Sequence, residues 1–246
     1  MRITFLGTAD GIPTLNRHCS CTLIEVGKTI YLIDAGAPVI DRMIELGKDV
    51  NDLRAIFCTH YHGDHNDGLF SLLGLTQWAF RDAEYDVYFS DERIKKVVYD
   101  AVSVTAGGVN EERTRLKVAH AGEVYQDENI KITYFPNKHC QPFASYSILV
   151  EAEGKKIFFS GDLSVFLNQK DFPKYVLENP TDLFVCELAH FGFDHLGDTL
   201  GQIKTKQIYF NHVFPFFRMD EARELDASGK YDFRLIVAKD NDVIDL

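Results

Sequence analysis

Long apolar runs are missing from this 246-residue chain: no stretch of ~18 apolar residues occurs, so nothing in it reads as a membrane span. Its opening Met1-Arg2 leads into strand-like alternation without an apolar signal core, and the expectation is a soluble, cytoplasmic protein. Cysteine is sparse. The five present (Cys19, Cys21, Cys58, Cys140, Cys186) are scattered and odd in number, which argues against a disulfide framework and a zinc knuckle and fits a reducing compartment. Basic charge is also scarce: 26 Lys and Arg face 37 Asp and Glu, giving a formal net charge of −11. A grip on a phosphate backbone needs clustered cations, so long nucleic acid is a poor partner and a small-molecule substrate is expected. The nearest basic runs, Arg93 with Lys95 and Lys96, and Arg113 with Arg115 and Lys117, read as solvated faces. Pro- or Ser-rich linkers and alignable internal repeats are absent too. What is present in quantity is core material, 46% hydrophobic and 13% aromatic, enough for one domain over residues 1–246.

Periodicity divides the chain into strands and helices. Residues 2–7, 21–26 and 29–34 read as strands, the last two joined by a tight turn at Gly27-Lys28. The loop from Gly7 to Ser20 is too long for a simple connection and is expected to overhang a site. Apolar residues at 39, 40, 43 and 46 mark one face of a helix over 38–46, for which Asp34 is a candidate N-cap. A second helix is expected over 68–80, with Trp78 in the core, and a third over 92–102 capped by Asp91. Thr105 to Arg115, with Gly107-Gly108, reads as a mobile loop or short lid; His120 reads as structural. Further strands are expected at 85–89, 130–135, 145–152, 155–160, 183–187, 207–211 and 232–238, with short helices at 169–176, 195–203 and 219–227. Two such series of strands and helices predict an α/β fold built as an αββα sandwich.

The chain's densest chemistry is Thr59-His60-Tyr61-His62-Gly63-Asp64-His65, placed between the strand-like Ala55-Ile56-Phe57-Cys58 and a helix start at Asp67. His60 and His62 are two apart, so in extended backbone they point the same way. Gly63 then lets the chain turn and brings Asp64 and His65 to a second point nearby. Nitrogen and oxygen donors at this spacing suit zinc and its neighbours. Other strand ends carry more: Asn137-Lys138-His139, Ser160-Gly161-Asp162 and Tyr209-Phe210-Asn211-His212.

His60-x-His62-x-Asp64-His65, with His139, Asp162 and His212 in that order, resembles the signature of the metallo-β-lactamase superfamily. The opening Arg2-Ile3-Thr4-Phe5-Leu6-Gly7-Thr8-Ala9-Asp10-Gly11-Ile12-Pro13-Thr14 is similar to the start of its ribonuclease Z and cyclic phosphodiesterase branch. The resemblance implies two divalent ions, Zn²⁺ foremost with Mn²⁺ or Fe²⁺ as alternatives. His60, His62 and His139 would hold one, Asp64, His65 and His212 the other, and Asp162 would bridge them. It makes Asp34 a buried carboxylate that orients the histidine loop, and it implies a homodimer. A tRNA-gripping arm, common in ribonuclease Z before the bridging aspartate, has no room in the 22 residues between His139 and Asp162.

Together with this donor set, the resemblance implies a dinuclear metal-dependent hydrolase that activates water and acts on a small or cyclic phosphodiester. Lactone, thioester or ester hydrolysis is the alternative, and a non-catalytic metal-binding regulator the third reading. Asp64, His190 and His195 are the residues placed at the chemistry. The two histidines, in Cys186-Glu187-Leu188-Ala189-His190-Phe191-Gly192-Phe193-Asp194-His195, are candidates to protonate the leaving group, with Glu187 a candidate to orient either ring.

Overall fold

A computed structural model of the chain describes residues 1–164 and 172–246. The elements run β1 (Arg2–Gly7), β2 (Cys21–Val26), β3 (Thr29–Ile33), α1 (Val39–Glu45), β4 (Leu53–Phe57), α2 (Gly63–Asn66), α3 (Gly68–Trp78), β5 (Tyr85–Phe89), α4 (Glu92–Ala106) and β6 (Thr114–Val118). They continue as β7 (Gly122–Gln126), β8 (Lys131–Pro136), β9 (Tyr146–Ala152), β10 (Lys155–Phe159), α5 (Lys174–Glu178), β11 (Leu183–Leu188), α6 (Phe193–Leu196), β12 (Gln207–Val213), α7 (Phe217–Ala227), β13 (Arg234–Val237) and β14 (Val243–Asp245). By their internal contacts these form two compact units, residues 1–119 with 240–245, and residues 120–239 with Leu246.

The first unit holds a seven-stranded sheet in the order β14-β1-β2-β3-β4-β5-β6. Pairing is antiparallel from β14 to β3 and parallel from β3 to β6. Consequently β1, β3, β4, β5 and β6 all point the same way and end on one edge of the sheet. The β2–β3 hairpin closes through Gly27 at φ +63°, a conformation glycine adopts without steric cost. Helices α1, α3 and α4 seal one face, where Leu32, Ile56 and Val87 of the strands meet Met43, Leu69, Leu72 and Val98.

Two expectations for this unit need correction. Trp78 is not core: at the end of α3 it is 60% exposed, because the buried stripe Leu69, Leu72, Leu73 and Thr76 has turned away from it. Nor is 105–115 a free lid. Asp91 caps α4 by accepting from Arg93 N, but the helix continues to Ala106 before Gly107 ends it at φ +79°. The loop beyond is tied to α3, with Asn110 N donating to Gln77 Oε1 at 2.7 Å and the Arg113 guanidinium donating to the carbonyls of Arg81 and Thr76.

The second unit repeats the plan. Its sheet runs β13-β12-β11-β10-β9-β8-β7, antiparallel from β7 to β10 and parallel from β10 to β13. Here β8, β10, β11, β12 and β13 share a direction and end on one edge. Phe158, Phe184, Leu188, Phe210 and Leu235 make the strand side of its core, with Val176, Leu196 and Ala222 from the helices. The helix expected at 169–176 is α5, beginning at Lys174; the first part of that expectation lies outside the described residues. The helix expected at 195–203 is split, α6 being followed by a 3₁₀ stretch over Gly197–Gln202. Among the described residues no helix is long and apolar enough to cross a membrane.

The burial pattern gives a contrast to measure. Leu72→Ala removes a fully buried side chain and should lower stability by about 2–5 kcal/mol. Trp78→Ala should stay within about 1 kcal/mol, in the range of surface substitutions. Urea denaturation midpoints at constant slope measure both; a larger loss for Trp78→Ala would overturn the packing described for α3.

Candidate metal centre

The shared strand direction in the first unit gathers Asp34, which follows β3, and the histidine loop, which follows β4, on one edge. In open α/β sheets, ligands bind beyond the carboxyl ends of the strands. Asp34 is 3% exposed and sits at φ +60°, a left-handed conformation that aspartate tolerates better than most residues. Its carboxylate accepts from Thr59 N at 2.7 Å and from Thr59 Oγ1 at 2.9 and 3.0 Å, and it lies 2.7 Å from His65 Nδ1. With Nδ1–H donating to Asp34, His65 presents Nε2 as a lone-pair donor. The alternative role as N-cap is not the one the structure gives: α1 is preceded by Pro38 and has no side-chain cap.

The rest of the loop converges. His60 Nε2 lies 3.0 Å from His62 Nδ1, the His60 and His65 ring centroids are 4.1 Å apart, and Asp64 Oδ2 is 3.4 Å from His65 Nε2. Buried Asn66 locks the backbone beneath them, its Nδ2 donating to His60 O at 2.7 Å and His62 O at 2.8 Å. The sequence reading missed Asn66 and Thr59; their signal was position, one polar residue on each side of the cluster. Gly36 completes the cradle, because a Cβ there would stand 2.3 Å from the Asp64 carbonyl oxygen.

In the second unit the loop after β8 brings His139, the turn after β10 brings Asp162, and β12 brings His212 at φ +51°. Asp162 Oδ2 is the meeting point, 3.7 Å from His139 Nε2, 3.6 Å from His212 Nε2 and 3.9 Å from His190 Nδ1. His139 is oriented by the carbonyl of Leu163, 2.8 Å from its Nδ1, another partner the sequence did not announce. Glu187, 1% exposed on β11, accepts from Leu163 N, Ala189 N and His190 N, and lies 3.2 Å from His190 Nδ1. The ligand atoms of His139, Asp162 and His190 lie within 4.8 Å of one another, as do those of Glu187, His190 and His212.

Of the two candidate proton donors, only His190 joins these groups. His195 stands apart from them: its half-exposed ring accepts from Gly192 N and lies 2.9 Å from Asp194 Oδ1 on the first turn of α6. Burial pushes the Cys58 and Cys186 thiols well above the ordinary range. Within each unit, imidazoles with fixed tautomers and carboxylates face one another at 3 to 4 Å, a donor set that fits a divalent metal site.

Gly36→Ala tests the cradle. The added methyl meets backbone, not a flexible side chain, so the Asp64 loop must shift; metal content of the purified variant should fall at least ~10-fold, the scale of losses around metal ligands. Metal content equal to wild type would show that the loop does not depend on this approach.

Known proteins share this construction. Ribonuclease Z of Prochlorococcus marinus (strain NATL1A) is 28% identical over 153 residues, 60% of this chain and 49% of that protein, so the chain spans about half the length of the curated relatives it matches. The metallo-β-lactamase fold protein YhfI from Bacillus subtilis superposes with a TM-score of 0.78 at 18% identity, covering 99% of this chain and 98% of that one. The short form of human tRNase Z (ELAC1) gives 0.75 at 17% identity, covering 100% of this chain and 99% of the other. The structural likenesses show the metallo-β-lactamase fold. The family described as anti-Pycsar protein Apyc1 matches residues 1–212, most of the 246-residue sequence, and the chain belongs to that family.

Proposed function

We propose that the protein is a dinuclear metal-dependent phosphodiesterase for small or cyclic phosphodiesters, acting as one metallo-β-lactamase-like domain over residues 1–246. The observation that carries it is the meeting at Asp162, whose Oδ2 faces His139, His190 and His212 while Glu187 tethers His190. Support comes from the relatives, whose names say ribonuclease and tRNase, activities on phosphodiester bonds. A net charge of −11 and the short passage from His139 to Asp162 favour a small substrate over RNA.

The residues divide the work. His60, His62 and His139 would hold one ion, and Asp64, His65 and His212 a second, with Asp162 between; Zn²⁺ is the first choice, and Mn²⁺ or Fe²⁺ suit the same donors. Divalent ions bound there supply Lewis-acid activation of water and of the phosphoryl oxygens. Asp34 fixes the His65 tautomer, and the Leu163 carbonyl fixes that of His139. His190 holds the proton for the leaving oxygen: Nδ1–H donates to Glu187, which supports the charged ring and leaves Nε2 to deliver its proton.

Protein loaded with Zn²⁺ or Mn²⁺ should hydrolyse bis(4-nitrophenyl) phosphate, lose the activity on chelation and regain it with metal. Turnover of a lactone or thioester but of no phosphodiester, with any metal, would replace this reading with that of a carbonyl hydrolase. His190→Ala separates the proton donor from the ligands. It should lower kcat by about 10²–10⁴ on a phosphodiester with an alkoxide leaving group, and far less on the nitrophenyl ester, whose leaving group needs no proton. Equal losses on both would remove His190 from that role.

A further inference from the structure

Between His60 and His62 the histidine loop carries an aromatic ring, Tyr61, and the basic run that begins at Arg93 reads in the sequence as a solvated face. Topology brings the two together. Strands β4 and β5 are parallel neighbours, and their pairing runs on past β4, with Cys58 N donating to Tyr88 O at 3.0 Å. Tyr61, four residues beyond β4, and Arg93, four residues beyond β5, therefore leave the sheet on the same edge. There the Arg93 guanidinium carbon lies 5.3 Å from the centroid of the Tyr61 ring, within the range of a cation–π contact.

That contact does not depend on a loose side chain. An exposed arginine paired through one bond keeps most of its freedom and gains little. Half-exposed Arg93 is held at two points instead, Nε donating to Asp91 Oδ1 at 2.7 Å and Nη2 to Oδ2 at 3.1 Å, the fork geometry that fixes a guanidinium plane. Asp91 is fixed in turn, because the same Oδ1 caps α4 by accepting from Arg93 N at 2.8 Å. The guanidinium also keeps the Asp91 carboxyl below the usual carboxylate range, so the pair stays ionised wherever histidines are neutral enough to bind metal.

The clamped ring touches a site histidine. The backbone bends through residues 59–61, and Tyr61 and His62 meet edge to face, with centroids 4.8 Å apart and planes at 72°. His62 meets His60 in the same manner, at 4.7 Å and 85°, and turns Nδ1 to within 3.0 Å of His60 Nε2. Imidazole rotation is broad and roughly two-fold when nothing restrains it, and a half turn would put a carbon where Nδ1 stands. We infer that Tyr61 and Arg93 are positioning residues: Asp91 fixes Arg93, Arg93 fixes the Tyr61 ring, and that ring keeps His62 Nδ1 turned toward the donor set. The inference rests on the metal-dependent reading and adds to it the means by which His62 is oriented, as Asp34 orients His65 and the Leu163 carbonyl orients His139.

Zn²⁺ affinity from chelator competition, together with the ligand-field absorption of the full chain loaded with Co²⁺, reads this without turnover. Tyr61→Leu should weaken Zn²⁺ binding about 3- to 10-fold, the worth of one aromatic pair, and alter the Co²⁺ spectrum. Tyr61→Phe keeps the ring and should stay within about two-fold of wild type, with the wild-type spectrum. Arg93→Met should weaken binding about 2- to 5-fold. The sign separates positioning from charge: removing a cation beside a metal centre by itself favours the incoming ion, so wild-type or tighter Zn²⁺ binding in Arg93→Met overturns the inference. In Tyr61→Leu/Arg93→Met the loss should equal that of Tyr61→Leu, because Arg93 acts through the ring; additive losses give Arg93 a separate action and overturn it too. If Tyr61→Leu does not fold, Arg93→Met, a change at a half-exposed side chain, carries the test with the same two outcomes. A wild type that binds no divalent ion overturns the metal reading and this inference with it, whereas a wild type that binds, with variants that match it, overturns this inference alone.

Discussion

The Asp34 carboxylate is the contact on which the order of the first unit's histidines depends. A charge taken out of water costs several kcal/mol unless polar partners replace the lost hydration, and here those partners all belong to the functional loop. Thr59 supplies its amide and hydroxyl, and His65 supplies its ring. The arrangement works in both directions. The loop compensates the buried carboxylate, and the carboxylate decides where the loop begins and which His65 nitrogen faces outward. Its left-handed backbone is part of the same bargain, because φ +60° lets β3 end abruptly and turn into Ala35 and Gly36, on which the loop's own backbone rests.

The second unit answers the same topological problem with different partners. Each sheet has three antiparallel pairings followed by three parallel ones, so β3 corresponds to β10 and β4 to β11. Asp34 and Asp162 then occupy like positions, one residue and three residues past the strand that precedes them, and both are 3% exposed. Their surroundings set them apart. Asp34 has its oxygens occupied by protein donors, while Asp162 turns Oδ2 toward three imidazoles. The orienting task falls instead to Glu187, whose carboxylate gathers the amides of Leu163, Ala189 and His190. A carboxylate that gathers backbone amides is a fixture; one whose oxygen faces imidazole nitrogens stands among metal-ligating groups.

That repeat was invisible in the sequence, since strand direction and order leave no residue signature when the side chains differ. What was legible followed from patterns with a direct steric cause. The strands that carry the site are apolar runs ended by a polar cluster, and their bounds came out within a residue or two at β1 to β3 and at β8 to β11. Two strands that went unread, β7 and β14, carry little signal: β7 has no buried residue, and β14 is three residues long with Ile244 alone buried. His190 and His195 looked alike in sequence, each a few residues past a strand. The structure separates them through register: His190 lies three residues from Glu187 on a tight turn and faces it, whereas His195 lies on the first turn of α6 and its Nδ1 accepts from Gly192 N. Trp78 failed for a related reason, since helical spacing fixes a buried stripe but not the point at which the helix leaves the sheet.

Charge links the site to the kind of substrate it can accept. The protein is acidic overall, and each unit adds buried carboxylates beside its own histidines, Asp34 in the first and Asp162 with Glu187 in the second. Buried carboxylates by themselves disfavour an approaching anion. Divalent cations reverse the sign locally, because an ion is the largest charge in such a site and sets the potential felt by whatever approaches. The carboxylates make cations favourable, and a cation held there would in turn favour an anionic ligand.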